Sequence, residues 1–420
     1  MSTSPSAPVP ASTPDPASEP ATRDTVASPG TDEPVVVRSC EDLVAAVPYL
    51  VGFPPEHSLV LVSLRRRGSR LRLGLVARFD LPDSGSGPRG RVPAAVHELV
   101  EQAVQVVLRD EPEQVVALVF DSRPCSLDAP WRRLVRLLSE GFEAADVAVL
   151  DAVHVSGDRF RSYRCDDPTC CPPEGRPAAR CGPAVAALVA RGSAPLPSRA
   201  ALHEAVQASD KARAAAVEKA ARRHQARIGS CWGDLSTSRW RSWQLESLRL
   251  MQEVAGRYLA GSGALGDEEA GRIVAALCDI AVRDAAVVLL SSWGGGADGD
   301  DEPLSGPGER MSELVRQGRQ PASGSTPMTP VGPARDQLLD AFWLDLATSC
   351  DGLLAVPPLT LLGVHVWTQG EGALALAAVE RALRIDPSYR FARLLDEALQ
   401  LGVRPTGRHE KEDDVANAVS

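Results

Sequence analysis

A chain of 420 residues with a hydrophobic fraction of 44% is long enough for two packed domains, each able to bury a core. Its formal net charge of -10 argues against a generally basic nucleic-acid-binding surface and disfavours nucleic acid as a partner. No apolar run reaches membrane-spanning length. The opening stretch, MSTSPSAPVPASTPDPASEPATRD, has neither a positive leader nor an apolar core, so the expected location is the cytoplasm, with no membrane partner. In that reducing compartment nine scattered cysteines read first as free thiols.

Residues 1–33 are rich in Ser, Pro, Thr and Ala, which cannot bury enough apolar surface to offset the entropy of ordering, and they read as a disordered tail. PVVVRS then reads as a short strand. The spacing from Ser39 to Asp42 is that of a capping box opening a helix, with Leu43, Val44, Val47, Leu50 and Val51 as its apolar face. Pro48 should kink that helix, and Gly52 with Pro54 and Pro55 should end it. HSLVLVSL and LRLGLVARFDLP, joined by RRRGSR, read as a β-hairpin.

Val92 to Asp110 carries Val96, Leu99, Val100, Ala103, Val106 and Val107 at helical spacing. Gln114 to Phe120 is apolar without alternation, the pattern of a strand covered on both faces. A strand, helix, strand crossover of this length implies parallel pairing in the right-handed sense. A helix from Trp131 to Phe142 leads to a strand at 147–150 and a hairpin through Ser156, Gly157 and Asp158. The fold class expected is therefore α/β: a mixed-sheet N-terminal domain over 34–164, then an all-helical C-terminal domain.

Between them lies a cysteine and proline loop, 165–183. The helical domain, 184–404, should contain helices from Ala184 to Arg191, Ser198 to Ile228, Ser238 to Ala260, Asp267 to Ser291, and several after Pro333. A glycine, serine and proline-rich insertion at 294–333 reads as mobile. Its acids, Asp298, Asp300, Asp301 and Glu302, lack the spacing of a calcium-binding loop. Residues 405–420 form a charged tail.

The last ordered stretch resembles the helix-turn-helix unit of tetratricopeptide repeats at Gly363, Trp367, Gly370, the small face from Ala375 to Ala382, Asp386-Pro387 and Ala392. More widely, RSCEDLVAAVPYLVGFPPEHSLVLVSL, LGLVARFDLP, CCPPEG and GEGALALAAVERALRIDPSYRFARLL, in that order, resemble the actinobacterial family called domain of unknown function 4192. The resemblance runs from about residue 35 to residue 405. It carries over no activity and no catalytic residue, since the family has none established.

The hairpin register places His57 and Ser58 beside Arg78 and Asp80, and a parallel 115–120 strand brings Asp121, Ser122 and Arg123 to the same edge. Ligands in open α/β sheets favour the carboxyl ends of parallel strands. His57 with Asp80 or Asp121 would then act as a general base, with Ser58, Ser122 or water as nucleophile and Arg78 or Arg123 holding an anion. Against this, Asp and Ser after a strand are ordinary turn and cap residues, and the chain has no nucleophile elbow, phosphate loop or dinucleotide fingerprint, so no cofactor is expected.

The run Cys165-x4-Cys170-Cys171-x9-Cys181 is poorly spaced for zinc, because adjacent cysteines are awkward joint ligands of one tetrahedral ion. Structural thiols are the simplest account, with metal and redox roles behind them, and the run should lie away from Asp80 and Asp121. Three functions follow from these features. The leading one is a binding or regulatory protein that uses its helical half for a protein partner. The second is an enzyme acting on a small polar or anionic ligand at the sheet edge, and the third a thiol or metal sensor.

Overall fold

The computed structural model describes residues 37, 39–67, 70–83, 92–125, 131–179, 181–229, 238–290 and 333–403. The tails expected at 1–33 and 405–420, and the insertion expected at 294–333 apart from its last residue, lie outside them. So does most of the PVVVRS strand, of which Val37 and Ser39 are described and are not in a strand.

Helix α1, Cys40–Val51, starts where Ser39 accepts the Asp42 backbone N–H (3.1 Å), and it ends where Gly52 takes a left-handed φ of 88° and donates to Pro48 O. The sheet follows: β1 Ser58–Arg67, β2 Arg70–Asp80, β3 Gln114–Phe120, β4 Ala148–Ser156, β5 Arg159–Ser162 and β6 Arg176–Pro177. The order is β2-β1-β3-β4-β5-β6. Only the β3/β4 pairing is parallel; the others are antiparallel. β3 and β4 pair in parallel as expected, but β2 and β3 are not neighbours, because β1 sits between them and pairs antiparallel with both. They run in the same direction all the same. The arginines expected at the hairpin tip are inside the strands, with Arg65 opposite Arg72.

Alternation along the strands sends side chains to two faces. Leu59, Leu61, Val115, Ala117, Val119 and Ala152 meet α2, Ala94–Leu108, and α3, Arg132–Glu143. Val60, Val62, Val116, Leu118, Val153 and Val155 point the other way, into a core shared with α1 and the helical half. Burial on both faces is what the unalternating Gln114–Phe120 run encodes. At β1 the register shifts between Val62 and Leu64, and across from it a Cβ on Gly74 would come within 2.2 Å of Ser63 Oγ and 2.3 Å of Asp110 Oδ2, so glycine is required there.

The helical half comprises α4 Pro183–Ala190, α5 Arg199–Ala205, α6 Lys211–Gly229, α7 Ser238–Leu259, α8 Asp267–Leu277, α9 Ile280–Leu290, α10 Pro333–Thr348, α11 Val356–Thr368, α12 Gly372–Ile385 and α13 Arg390–Gln400. Two helices expected as continuous are each broken by a capping aspartate. Asp210 accepts the N–H groups of Ala212 (2.7 Å) and Arg213 (3.2 Å) and restarts the chain as α6. Asp279 accepts from Val282 (3.0 Å) and starts α9.

Candidate functional site

The register puts Ser58 opposite Asp80 on one side and Phe120 on the other, and Leu81 N–H donates to His57 O (3.0 Å). His57, Ser58, Arg78, Asp80, Asp121, Ser122 and Arg123 therefore do share one end of the sheet. Their side chains do not form one cluster, however, because neighbouring positions on a strand face opposite ways.

On the side of α3, Asp121 is buried, with 3% of its side chain exposed. Its Oδ2 accepts from Trp131 Nε1 (2.7 Å) and Arg123 Nε (2.6 Å), and its Oδ1 lies 3.9 Å from His57 Nδ1. Burial opposes the charged form of this carboxyl, but the hydrogen bonds from Trp131 and Arg123 and the Arg123 charge outweigh it and hold the group below its ordinary value. The Arg123 guanidinium also lies over the Trp131 ring (5.2 Å), and the His57 ring meets that indole edge-on. His57 has a φ of 44°, an uncommon conformation for a residue other than glycine, and its side chain is 45% exposed.

On the side of the helical half, Arg78 stacks on Phe53 and pairs with Asp80, whose other partner is Arg199 (3.1 Å). Arg199 in turn pairs with Glu380 (3.8 Å), as does His203 (3.6 Å). Asp80 and Arg78 thus belong to a charge network that ties β2 to α5 and α12. Ser58 has no exposed surface and donates to Glu56 O (2.6 Å), so its hydroxyl is withdrawn from any ligand. Ser122 is exposed, and its carbonyl accepts from Ser156 Oγ (3.3 Å).

Three residues join the Asp121 side that sequence reasoning passed over: Trp131, His154 and Tyr163. His154 is 2% exposed, stacks on Tyr163, and sits across from Arg161, itself 5% exposed, on the neighbouring strand. Burial lowers the His154 pKa and raises that of Tyr163, so both are neutral at pH 7. Among the described residues, both His154 ring nitrogens, the Tyr163 hydroxyl and Arg161 Nη1 have no hydrogen-bond partner. A histidine within the otherwise apolar Ala152 to Val155 run was the one available signal.

The cysteines divide. Sγ atoms of Cys165, Cys170 and Cys171 lie within 4.8 Å of one another, while exposed Cys181 is not in that group. No helix among the described residues is long and apolar enough to cross a membrane.

No curated protein and no solved structure matches the chain. The family described as Domain of unknown function (DUF4192) matches residues 41–299 and 330–406, a span that holds the whole sheet, the sheet-end residues, the thiol group and the described helices but for the first residue of α1, and the chain belongs to that family.

Proposed function

We propose that the protein is a hydrolase-like enzyme acting on a small anionic molecule at the sheet end where His57 meets Asp121. The reading is carried by the 3.9 Å approach of His57 Nδ1 to an Asp121 carboxylate that the Arg123 and Trp131 hydrogen bonds hold in place. Asp121 would orient the imidazole and stabilise it once protonated, while the other ring nitrogen takes a proton from a water. Water is the nucleophile of choice because the Ser58 hydroxyl is buried and engaged. Arg123 and Arg161 supply positive potential for the anion. Arg78 and Asp80, on the other face, brace the helical half instead.

A thermal-shift screen of small phosphate, sulfate and carboxylate compounds on the full chain tests this. The expected result is a compound that raises the Tm of the native chain and fails to raise that of His57→Ala or Arg123→Ala, and whose ester is hydrolysed by the native chain alone. Shifts equal in all three proteins would move the ligand away from this end of the sheet.

A binding or regulatory protein that uses its helical half for a protein partner has less support. The exposed large apolar side chains there, Val189, Ile280, Leu353, Leu394 and Val403, sit on separate elements, and scattered apolar residues are ordinary on any surface. A repeat-type peptide groove on the terminal helices needs an open concave face, whereas α11 is buried along nearly its whole length.

A further inference from the structure

We propose that Cys165, Cys170 and Cys171 form a binding site for one Zn2+ ion, with three thiolate ligands and a fourth position facing solvent. Among the described residues this is the one group of three or more potential ligand side chains that converge. It lies far along the sheet from His57. β4 begins at Ala148, and Asp151, beside the thiols, is near that end, whereas Asp121 binds the backbone of Val155 at the other. The proposal therefore stands apart from the sheet-end reading.

Spacing alone made the adjacent pair look unsuitable, but the loop's fold removes the objection. After β5 the Asp167 carboxylate accepts from Thr169 N (2.8 Å) and Thr169 Oγ1 (2.7 Å), and Cys171 N–H donates back to Asp167 O (2.7 Å). That turn carries Cys170 and Cys171 over Cys165. The chain beyond is fixed by Gly175 N–H to Pro172 O (2.9 Å), by Arg159 donating to Gly175 O, and by β6 pairing with β5. Both ends of the loop are thus held by the sheet, so the trio is assembled before any ion arrives.

Around an ion with zinc-to-sulfur distances of about 2.3 Å, tetrahedral geometry separates the sulfurs by about 3.8 Å, which the group reaches by closing up about 1 Å or less. Beside the group stands a hydrogen-bonded support. Asp151 Oδ1 accepts from Ser162 Oγ (2.6 Å), Asp151 Oδ2 accepts from Cys40 Sγ (3.1 Å), and Ser162 Oγ accepts from the backbone N–H of Arg164 (3.0 Å), the residue before Cys165. Cys170, exposed, faces the solvent from which the ion and its fourth ligand come. Three sulfurs without carboxylate ligands select a soft or borderline ion over calcium or magnesium.

The experiment uses the reduced, chelator-treated full chain. Zn2+ alone is titrated in competition with a chromophoric chelator, bound metal is counted by elemental analysis, and Co2+ is substituted to read thiolate-to-metal charge-transfer absorption. Expected are one equivalent of zinc, a thiolate band with cobalt, loss of stoichiometric binding in Cys165→Ser and Cys170→Ser, and full binding in Cys181→Ser. Should the serine variants fail to fold by circular dichroism, the cobalt spectrum of the native chain still decides. Zinc uptake with no thiolate band, uptake unaltered by Cys165→Ser in a folded protein, or no uptake by the reduced chain would each overturn the site.

Discussion

The Trp131 indole N–H donates to Asp121 Oδ2 at 2.7 Å, so the first residue after β3 is held by the residue that precedes α3. Trp131 has no exposed surface, and its partner carboxylate is buried too. Trp131→Phe keeps most of the ring contacts and removes the donor. Leaving a buried carboxylate short of one partner costs about 1–3 kcal/mol, which urea unfolding would read as a lower midpoint with an unchanged slope. The same variant should weaken any ligand response that depends on His57. A stability within about 0.5 kcal/mol of the native chain would mean that Arg123 alone holds Asp121.

Acid should destabilise this end of the molecule in two stages. His154 has its folded pKa lowered by burial, so the unfolded chain binds the proton more tightly, and the contribution, full above the unfolded value near 6.5, is lost as pH falls through the folded one. Asp121 is likewise lowered, its partners overcoming burial, so its contribution is full above the ordinary carboxylate range and lost only at lower pH. Urea midpoints followed from about pH 8 to about pH 5 should decline in the native chain and decline less in His154→Phe. Equal slopes in the two proteins would show that His154 takes up its proton without strain.

Much of the sheet was legible because burial on two faces leaves unbroken apolar runs, as in Val115 to Phe120, and because the ends of helices and strands carry turn residues such as Gly52, Pro54 and Asp80. His57 and Asp121 could be placed at one end from direction alone. The slot taken by β1, between β2 and β3, could not, since a crossover sets handedness and leaves open whether a third strand fills the gap. Asp210 and Asp279 interrupt stretches whose helical periodicity continues through them, and only their capping hydrogen bonds reveal the breaks. Trp131, His154 and Tyr163 owe their position to tertiary contacts, and spacing pointed away from the thiol group because the Asp167 turn that assembles it has no fixed sequence signature.

Gly271 sets how closely α8 approaches α6. A Cβ there would fall 2.4 Å from Ala220 Cβ and 2.8 Å from both Ala221 N and Val217 O. Two of those atoms are backbone, so the helices themselves must separate. Gly271→Ala should cost about 1–3 kcal/mol through overpacking, despite alanine's better helix propensity. A rise in thermal midpoint for this variant would show that α6 yields without cost.

Arg381, 3% exposed, is a buried cation of the helical half. Its Nη1 donates to Val206 O and Ala347 O (3.3 Å), and its Nη2 to Cys350 O (3.3 Å) and Asp351 Oδ1 (3.4 Å). Val206 closes α5, Ala347 lies in the last turn of α10 and Cys350 just beyond it, so one guanidinium on α12 satisfies carbonyls at two helix C-termini, where a positive charge is favoured. Asp351 is largely exposed and contributes little as a salt bridge; the carbonyls are what the cation holds. Arg381→Met preserves the aliphatic packing while stranding those carbonyls, at a cost on the order of 3 kcal/mol. Arg381→Lys, with a single point of donation in place of a planar fork, should recover only part of that loss. Urea unfolding of the three proteins gives the order native, Lys, Met from most to least stable, and a methionine variant as stable as the native chain would mean that water reaches these helix ends after all.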